Sequence, residues 1–208
     1  ITGVSREILR ILDGEETPEF LRLAEELSRI GDKFGWPCFL RGGEYSGKHS
    51  WKDCCHVPGG ASMRRHLAAL ITNGECENMM GFEWNVFAVR EFIQPHEGSF
   101  IAFQGDLPIR RERRAFLDNG RFHSLIPYWP EEALEGNAGL GDWRARLATL
   151  NVVSPGEREE LRMASERAVA GLDGRWSLDW MWAGERGWMA IDMAVAEQSW
   201  GCPGEWLP

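Results

Sequence analysis

The chain has 208 residues, of which 43% are hydrophobic and 26% charged, and its formal net charge is −9. These proportions are typical of a globular protein with one sizeable core, or a core and a smaller lobe. The negative net charge argues against a protein whose whole surface binds nucleic acid. No apolar run resembles a membrane span or a signal peptide. The five cysteines include the adjacent pair Cys54-Cys55, a pattern that favours reduced thiols in a cytoplasm-like compartment over disulfides or a zinc site.

The first third of the chain predicts helices followed by a strand. Ser5 caps a short helical stretch that stops at Asp13-Gly14, and Thr17-Pro18 opens a clearer helix. Its apolar stripe at helical spacing consists of Phe20, Leu23, Ala24, Leu27 and Ile30. A buried strand is predicted over residues 37–40, and a further helix over 62–72, closed by Asn73-Gly74.

The segment FLRGGEYSGKHSWKDCC, residues 39–55, approaches the spacing of a phosphate-binding P-loop. Gly42 and Gly47-Lys48 fit that spacing, but His49 stands where the motif requires Ser or Thr. The side chains of residues 50–57 alternate in the pattern typical of a strand. This segment therefore does not begin the helix that must follow a P-loop. We therefore predict strand, glycine-rich loop and strand. The cations around the loop are Arg41, Lys48 and Lys52. They could contact polyphosphate or lie at a solvated hairpin tip, and spacing alone leaves both interpretations open.

The remainder predicts antiparallel strands interleaved with helices, which indicates an α+β fold. Strands are predicted over 82–93, 100–103, 110–117, 121–126, 176–182 and 188–194. Asp118-Asn119-Gly120 is a strong hairpin signal between two of them. Helices are predicted over 130–134, over 142–150, and from a capping box at Ser154–Glu157 to near Gly171.

The basic stretch IRRERRAFL divides between the two faces of its strand, because successive side chains of a strand alternate. One face carries Arg111 and Arg113. The other carries Arg110, Glu112, Arg114 and Phe116. This division suits one oriented anion contact by Arg114 better than a surface that follows phosphates. An ordinary cross-strand ion pair is the alternative.

Two carboxylates, Asp179 and Asp192, lie in aromatic and aliphatic runs on the two strands of the closing hairpin. Burying them is costly unless they are paired or bind a cation. If the strands pair around residues 184–187, the two come level and could supply oxygen ligands to Mg²⁺ beside nucleotide phosphates. Glu197 is a weaker third candidate, and one aspartate facing solvent on each strand is the alternative.

The order of these motifs resembles the ATP-grasp superfamily, most closely its phage and bacterial members in which arginine replaces the usual first strand lysine. The likeness extends over about residues 37–199, through FLRGGEYSGKHSWKD, VREFI, RRERRAFLDNGRF, PYWP and SLDW…IDMA. It implies an ATP-grasp fold, in which two antiparallel-sheet lobes with flanking helices sandwich a nucleotide. Residues 1–36 would be amino-terminal helices, and 37–208 the ATP-grasp domain, with a smaller lobe over about 37–92 and a larger one over about 93–208.

The resemblance also implies roles for individual residues. The residues implied to act on the phosphates in catalysis are Arg41, Lys48 and Arg114. The other implied ATP contacts are Ser46 and Gly47 in a mobile loop, Lys52 nearby, and the hinge Glu91, Phe92 and Ile93, whose backbone would read adenine. The implied metal ligands are Asp179, Asp192 and Glu197. The usual Glu-x-Asn metal motif is replaced by Asp192-Met193-Ala194, so its asparagine ligand is absent.

The family chemistry implied is an ATP- and Mg²⁺-dependent ligase that joins a carboxylate to an amine through an acyl phosphate. Its acid and amine, small molecules or peptides, are not identified by the sequence. The alternative is a catalytically silent ATP-binding module for assembly or regulation. The expected location is the cytoplasm, or the host cytoplasm for a phage protein, with neither membrane nor nucleic acid as partner.

Overall fold

The computed structural model describes residues 1–77, 82–101, 107–136 and 141–207. The chain divides into two compact units, Ile1–Ile93 with Gln104–Leu107, and Gln94–Phe103 with Pro108–Pro208. Helices and antiparallel sheets occur in both, which confirms the predicted α+β class. Within the described ranges, no helix has the length and apolar character needed to cross a membrane.

The first unit combines helices with a three-stranded antiparallel sheet of order β2-β1-β3. Its elements are a 3₁₀-helix Arg6–Asp13, α1 Pro18–Phe34, β1 Cys38–Gly42, β2 His56–Val57, α2 Met63–Glu77 and β3 Phe87–Glu91. The predicted caps are confirmed: the Ser5 hydroxyl accepts from the Glu7 N–H at 3.2 Å, and Thr17 Oγ1 accepts from the Phe20 N–H at 3.2 Å. Each cap satisfies an N–H that the first helical turn leaves without a backbone partner.

The core of the first unit lies between its helices and one face of this sheet. Strand residues Leu40, Val57 and Phe87 are fully buried there, together with Phe20 of α1 and Leu67 of α2. The amino-terminal helices therefore share one core with the strands. Alternation along β1 and β3 turns the intervening side chains to the other face of the sheet.

Three predicted boundaries in the first unit are wrong. The strand predicted over 82–93 forms only at Phe87–Glu91. Only His56–Val57 of the strand predicted over 50–57 is extended, because a 3₁₀-helix Lys48–Ser50 and a turn take up the preceding residues. The helix predicted to close at Asn73-Gly74 continues to Glu77. Gly74 allows the Trp84 ring to pack closely on the helix, because a Cβ at this position would lie 2.5 Å from Cζ2 of Trp84.

The second unit is built on a four-stranded antiparallel sheet of order β7-β6-β8-β9. Its elements are β4 Phe100–Ile101, β5 Pro108–Ile109, β6 Glu112–Asp118, β7 Arg121–Pro127, α3 Trp143–Asn151, α4 Pro155–Ala168, β8 Arg175–Trp182 and β9 Trp188–Val195. A 3₁₀-helix Glu131–Ala133 occupies the helix predicted over 130–134. The last two residues of the strand predicted over 100–103 lie outside the described residues.

Both hairpins predicted in the second unit form. Asn119 and Gly120 have φ of 48° and 78°, the backbone of a type I′ turn between β6 and β7. The closing hairpin pairs β8 with β9 and puts Asp179 opposite Asp192, as the sequence predicts. The two strands thus carry their carboxylates at the same level.

The two faces of β6 differ as the alternating pattern predicts. Ala115 and Leu117 pack with Leu161 of α4 in a buried apolar cluster, and Arg113 is fully buried on the same side. The opposite face carries Arg114 and Phe116. Only half of the predicted capping box forms at α4: Ser154 Oγ accepts from the Glu157 N–H at 3.1 Å, but the Glu157 carboxylate accepts hydrogen bonds from two arginines instead.

Candidate functional site

Three charged side chains form a row across the sheet of the second unit. Strand register puts Arg114 of β6 opposite Asp179 of β8, and Asp179 opposite Asp192 of β9. Directly opposed residues of antiparallel strands share a face, so the row lies on the face away from α4. This row brings together one cation and two carboxylates that the sequence singled out separately.

Arg114 and Asp179 form a bidentate ion pair. Nε donates to Oδ1 at 2.7 Å and Nη2 donates to Oδ2 at 2.9 Å, while Nη1 donates to the carbonyl of Trp200 at 3.0 Å. The guanidinium also lies 4.8 Å from the ring centre of Tyr128. Burial alone would lower the pKa of Arg114, but the hydrogen bonds and charge of Asp179, with a smaller contribution from Asp192, raise it. The guanidinium is therefore held in one orientation with its charge retained.

Of the three metal ligands that the resemblance implies, Asp179 and Asp192 lie opposite each other on neighbouring strands. Asp192 is half-buried, and its Oδ1 accepts from the Met193 N–H at 3.2 Å. Glu197 lies after β9, 3.6 Å from Arg175. In the part of the chain that the structure describes, no three His, Cys, Asp or Glu side chains lie close enough to hold a metal ion. Asp179 and Asp192 are two carboxylates that the strand register puts opposite each other, and Mg²⁺ commonly takes one or two carboxylates beside phosphates.

The glycine-rich loop of the first unit is a packed turn. Gly47 has φ of 65°, and a Cβ there would lie 2.8 Å from Cβ of Cys54 and 2.9 Å from Leu70. Tyr45, two residues earlier, is only 8% exposed and belongs to the core. Gly47 is thus required by its backbone conformation and by close packing, whatever ligand the loop contacts. Ser46 between them is half-buried.

The predicted phosphate-binding cations lie in different local settings. Arg41 is half-buried on β1, where Nε donates to the Gly42 carbonyl at 3.1 Å. Lys48 is half-buried at the start of the 3₁₀-helix, close enough to Cys55 to lower the pKa of that thiol against the larger effect of burial. Lys52 is exposed in the following turn. Of these three cations, Arg41 is therefore the one that lies on a strand.

Arg90, a second cation on a strand beside Arg41, was not identified from the sequence. Arg90 of β3 is paired in register with Phe39, and its guanidinium lies 5.0 Å from the Phe39 ring centre. Register puts Arg41 opposite Ala88, so Arg41, Phe39 and Arg90 occupy one sheet face, opposite the helices. The alternation in FAVRE was a signal for this position, but only the pairing of β1 with β3 shows that the two arginines share a face.

The predicted hinge begins at the carboxyl end of β3 and adjoins an aromatic cluster. Glu91 is exposed, Phe92 is buried and Ile93 is half-buried. Ring centres of Phe92 lie 5.7 Å from Trp51 and 4.9 Å from His56, and Trp51 stacks on His56 at 5.3 Å. Neither Trp51 nor His56 was a candidate from sequence, because their assembly depends on the turn before β2.

The buried pair Cys54 and Cys55 does not supply an activated nucleophile. Burial raises the pKa of Cys54 to about 11 and that of Cys55 to about 12. Thiols with such pKa values are protonated at neutral pH and react slowly. All five cysteines are free thiols in the structure.

Comparison with known proteins finds similarity in structure only. No protein-family model and no curated protein sequence matches the chain. Among solved structures, the biotin carboxylase domain of Hydrogenobacter thermophilus 2-oxoglutarate carboxylase, in complex with MgADP, ADP and bicarbonate, aligns with a TM-score of 0.50 and 13% identity over 82% of this chain and 33% of that one. Carboxyaminoimidazole ribonucleotide synthase from Aspergillus clavatus, complexed with ATP, gives 0.49 and 13% over 91% and 42%. The D-cycloserine synthetase DcsG gives 0.39 and 12% over 93% and 62%.

The chain has the ATP-grasp fold, α+β with antiparallel sheets and flanking helices. It spans between 33% and 42% of the length of the first two of these structures. At this identity the likeness defines the fold, and the chemistry has to be argued from the residues of this chain.

Proposed function

We propose that the protein is an ATP- and Mg²⁺-dependent ligase that joins a carboxylate to an amine, acting in a reducing compartment such as the cytoplasm. The observation that carries the proposal is the row Arg114–Asp179–Asp192, which provides an oriented guanidinium beside two carboxylates on an ATP-grasp fold. Such a set suits the phosphates of a nucleotide together with the cation that accompanies them.

In the proposed reaction a substrate carboxylate oxygen attacks the γ-phosphorus of ATP, and the bond to the β,γ-bridging oxygen breaks to release ADP. The amine nitrogen then attacks the carbonyl carbon of the acyl phosphate, loses a proton, and expels inorganic phosphate to leave an amide. Mg²⁺ would neutralise phosphate charge when bound. The protein needs no covalent nucleophile, in keeping with the protonated Cys54 and Cys55, and would act by positioning and by charge neutralisation.

The proposed residue roles on the first unit are those that the resemblance implies, with one addition. On the first unit, Arg41 and Lys48 would contact phosphates, with Ser46, Gly47 and Lys52 in the loop beside them. Arg90 joins this set because it shares the sheet face of Arg41. The backbone of Glu91, Phe92 and Ile93 would read adenine.

On the second unit, Arg114 would exchange partners during binding. Its two donors to Asp179 can instead serve two phosphate oxygens, since a guanidinium recognises carboxylate and phosphate with the same fork geometry. Release of Asp179 would then provide a second carboxylate beside Asp192 for Mg²⁺, and Glu197 would contribute only by leaving Arg175.

A second candidate is an ATP-binding module without turnover. The observation that favours it is the occupation of both Asp179 oxygens by Arg114, together with the lack of a three-ligand cluster among the described residues. If Arg114 stays on Asp179, the metal site is reduced to Asp192, and ATP could be held without efficient γ-phosphate transfer.

Isothermal titration with ATP, with and without Mg²⁺, tests the proposal. We expect Mg²⁺-dependent binding to wild type, weakened about tenfold or more by Lys48→Ala and by Asp192→Asn, since each removes a charge-assisted contact. Exposed Lys33→Ala and Asp173→Asn are the matched controls and should bind as wild type does. Absence of ATP binding in a folded wild-type sample would overturn both candidates.

Turnover separates the two candidates. A screen for ADP release over mixtures of carboxylic acids and amines should give release that requires both substrates for the ligase. Tight ATP binding with no ADP release under any mixture would favour the silent module.

A further inference from the structure

A groove of about 810 Å³ lies within the second unit, on the side of the sheet that carries Arg111 and α4. Its walls come from the segment at His96–Gly98, the carboxyl end of α3 with the connection to α4, and the end of the β8–β9 hairpin. This volume falls in the range of small-molecule sites, which is roughly 300–1,000 Å³. Arg114, Asp179 and Asp192 do not line it, so the groove is distinct from the row on the opposite face.

The groove contains one guanidinium that is fixed in place. Arg111 forms an ion pair with Glu157 of α4 and lies 5.5 Å and 5.4 Å from the ring centres of Trp182 and Trp188. Its side chain remains 34% exposed. A guanidinium held by a carboxylate and two indoles loses little freedom when it binds a further anion, which favours affinity.

The charges behind Arg111 leave an excess of one positive charge. Glu157 is almost completely buried and also pairs with Arg113, which is fully buried. Arg113 donates further to the carbonyls of Glu112, Leu150 and Val152 at 2.9, 3.0 and 2.8 Å, so its donors are used inside the protein. Of the two guanidiniums that share one carboxylate, Arg111 is the one that faces the groove.

The other residues that line the groove indicate which chemical groups a ligand carries besides its anion. Leu150, Val152 and Trp182 offer apolar and aromatic surface, and Glu97 adds a carboxylate on another wall. One excess positive charge matches a singly charged carboxylate better than a phosphate dianion, and Glu97 would repel the latter. An ammonium group is the natural counterpart of Glu97.

We propose that this groove binds the α-carboxylate of an apolar or aromatic amino acid, free or at a peptide carboxyl terminus. Arg111 takes the carboxylate, the side chain packs on Trp182 and its apolar neighbours, and Glu97 takes the ammonium group when the amino acid is free. The inference goes beyond ATP binding and does not depend on it: the groove can be titrated without nucleotide, so failure here and failure of the proposed ligase activity are separate results.

The test is calorimetric titration of the intact protein, without nucleotide, with L-phenylalanine, N-acetyl-L-phenylalanine and phenethylamine. We expect saturable binding of L-phenylalanine and at least about tenfold weaker binding of phenethylamine, which lacks the carboxylate that pairs with Arg111. Equal affinity for the acetylated compound identifies a peptide carboxyl terminus as the ligand. A preference for the free amino acid identifies the amino acid and the contact with Glu97.

Two variants of the groove complete the test. Arg111→Gln should weaken L-phenylalanine about tenfold or more. Val152→Glu should do the same by placing a negative charge in the groove, and because Val152 is 65% exposed this change leaves the core intact. Arg144→Gln, at an exposed arginine outside the groove lining, is the matched control and should bind as wild type does. No saturable binding of L-phenylalanine to wild type, or equal binding to Val152→Glu, would overturn the inference.

Discussion

Arg114 and Asp179 bind each other through two hydrogen bonds across neighbouring strands, and their side chains are only 11% and 6% exposed. Each is therefore the main counter-charge of the other in a poorly hydrated setting. Attraction between buried charges roughly offsets their desolvation, but removal of one partner leaves an uncompensated charge. The pair is thus costly to break and, in the proposed function, is released only when a phosphate replaces the carboxylate.

Breaking this pair should destabilise the protein strongly. We expect Asp179→Asn to lower the free energy of unfolding by about 3–5 kcal/mol, measured by urea denaturation, because Arg114 keeps its charge without a partner. The double variant Arg114→Met with Asp179→Leu should recover more than half of that loss. Glu159→Gln, which breaks an exposed ion pair with Arg162 on α4, should have little effect. A loss as small in Asp179→Asn as in this control would show that the pair is not a buried one.

Gly74→Ala should destabilise the first unit although alanine is the better helix former. The gain in helix propensity is at most about 1 kcal/mol. The added Cβ would lie 2.5 Å from Trp84, whose indole donates to Glu75, so the ring has to shift, at a cost of about 1–3 kcal/mol.

The matched control for this change is Gly156→Ala in the first turn of α4. A Cβ at Gly156 meets nothing closer than the Ser154 hydroxyl at 4.0 Å, so propensity alone should act and thermal stability should rise slightly. Thermal unfolding of both variants gives the comparison. Equal stabilisation by both would mean that Trp84 does not pack closely on the helix.

Gly74 also shows where local sequence patterns stop being informative. Asn73-Gly74 is a valid helix-ending pair, and only contact with Trp84, which lies outside the helix, reveals another use of the glycine. Asn119-Gly120, by contrast, was predicted correctly because its turn is determined by two adjacent residues. The same reasoning explains why Asp179 and Asp192, joined by a short hairpin, could be expected to come level.

Site features that depend on pairing between distant strands could not be predicted from the sequence. The alternating pattern correctly predicted that Arg114 and Arg113 lie on opposite faces of β6. It did not show which residues each arginine contacts. The partner of Arg114 became known only from the pairing of β6 with β8, and that of Arg113 from the packing of α4. Arg90 was missed for the same reason, since its place beside Phe39 depends on the pairing of β1 with β3.

The cysteines should differ sharply in reactivity in the native state. Cys76 is exposed, whereas Cys54 and Cys55 are fully buried with pKa values of about 11 and about 12. A rise from 9 to 11 cuts the thiolate fraction roughly a hundredfold at neutral pH. We expect iodoacetamide at pH 7.5 to modify Cys76 first, and the buried pair only after denaturation, as followed by mass spectrometry of peptides. Modification of Cys55 at the rate of Cys76 would contradict the burial of this segment.

His66 should make the stability of the first unit depend on pH. Its ring is fully buried in α2. Arg65 can only donate, so Nε2 accepts from it at 3.3 Å and Nδ1–H donates to the Cys54 carbonyl at 3.2 Å, which defines the neutral ring. Burial lowers the pKa of His66 in the folded state below its ordinary value.

The sign of the pH dependence follows from proton binding. Below a pH of about 6.5 the unfolded state takes up a proton at His66 that the folded state resists, so the free energy of unfolding falls as pH falls through that value. The slope from this group is at most about 1.4 kcal/mol per pH unit. Urea denaturation between pH 7.5 and 5.5 should show a steeper loss in wild type than in His66→Gln, whose amide can keep both hydrogen bonds without titrating. An unchanged slope in His66→Gln would assign the pH dependence to other groups.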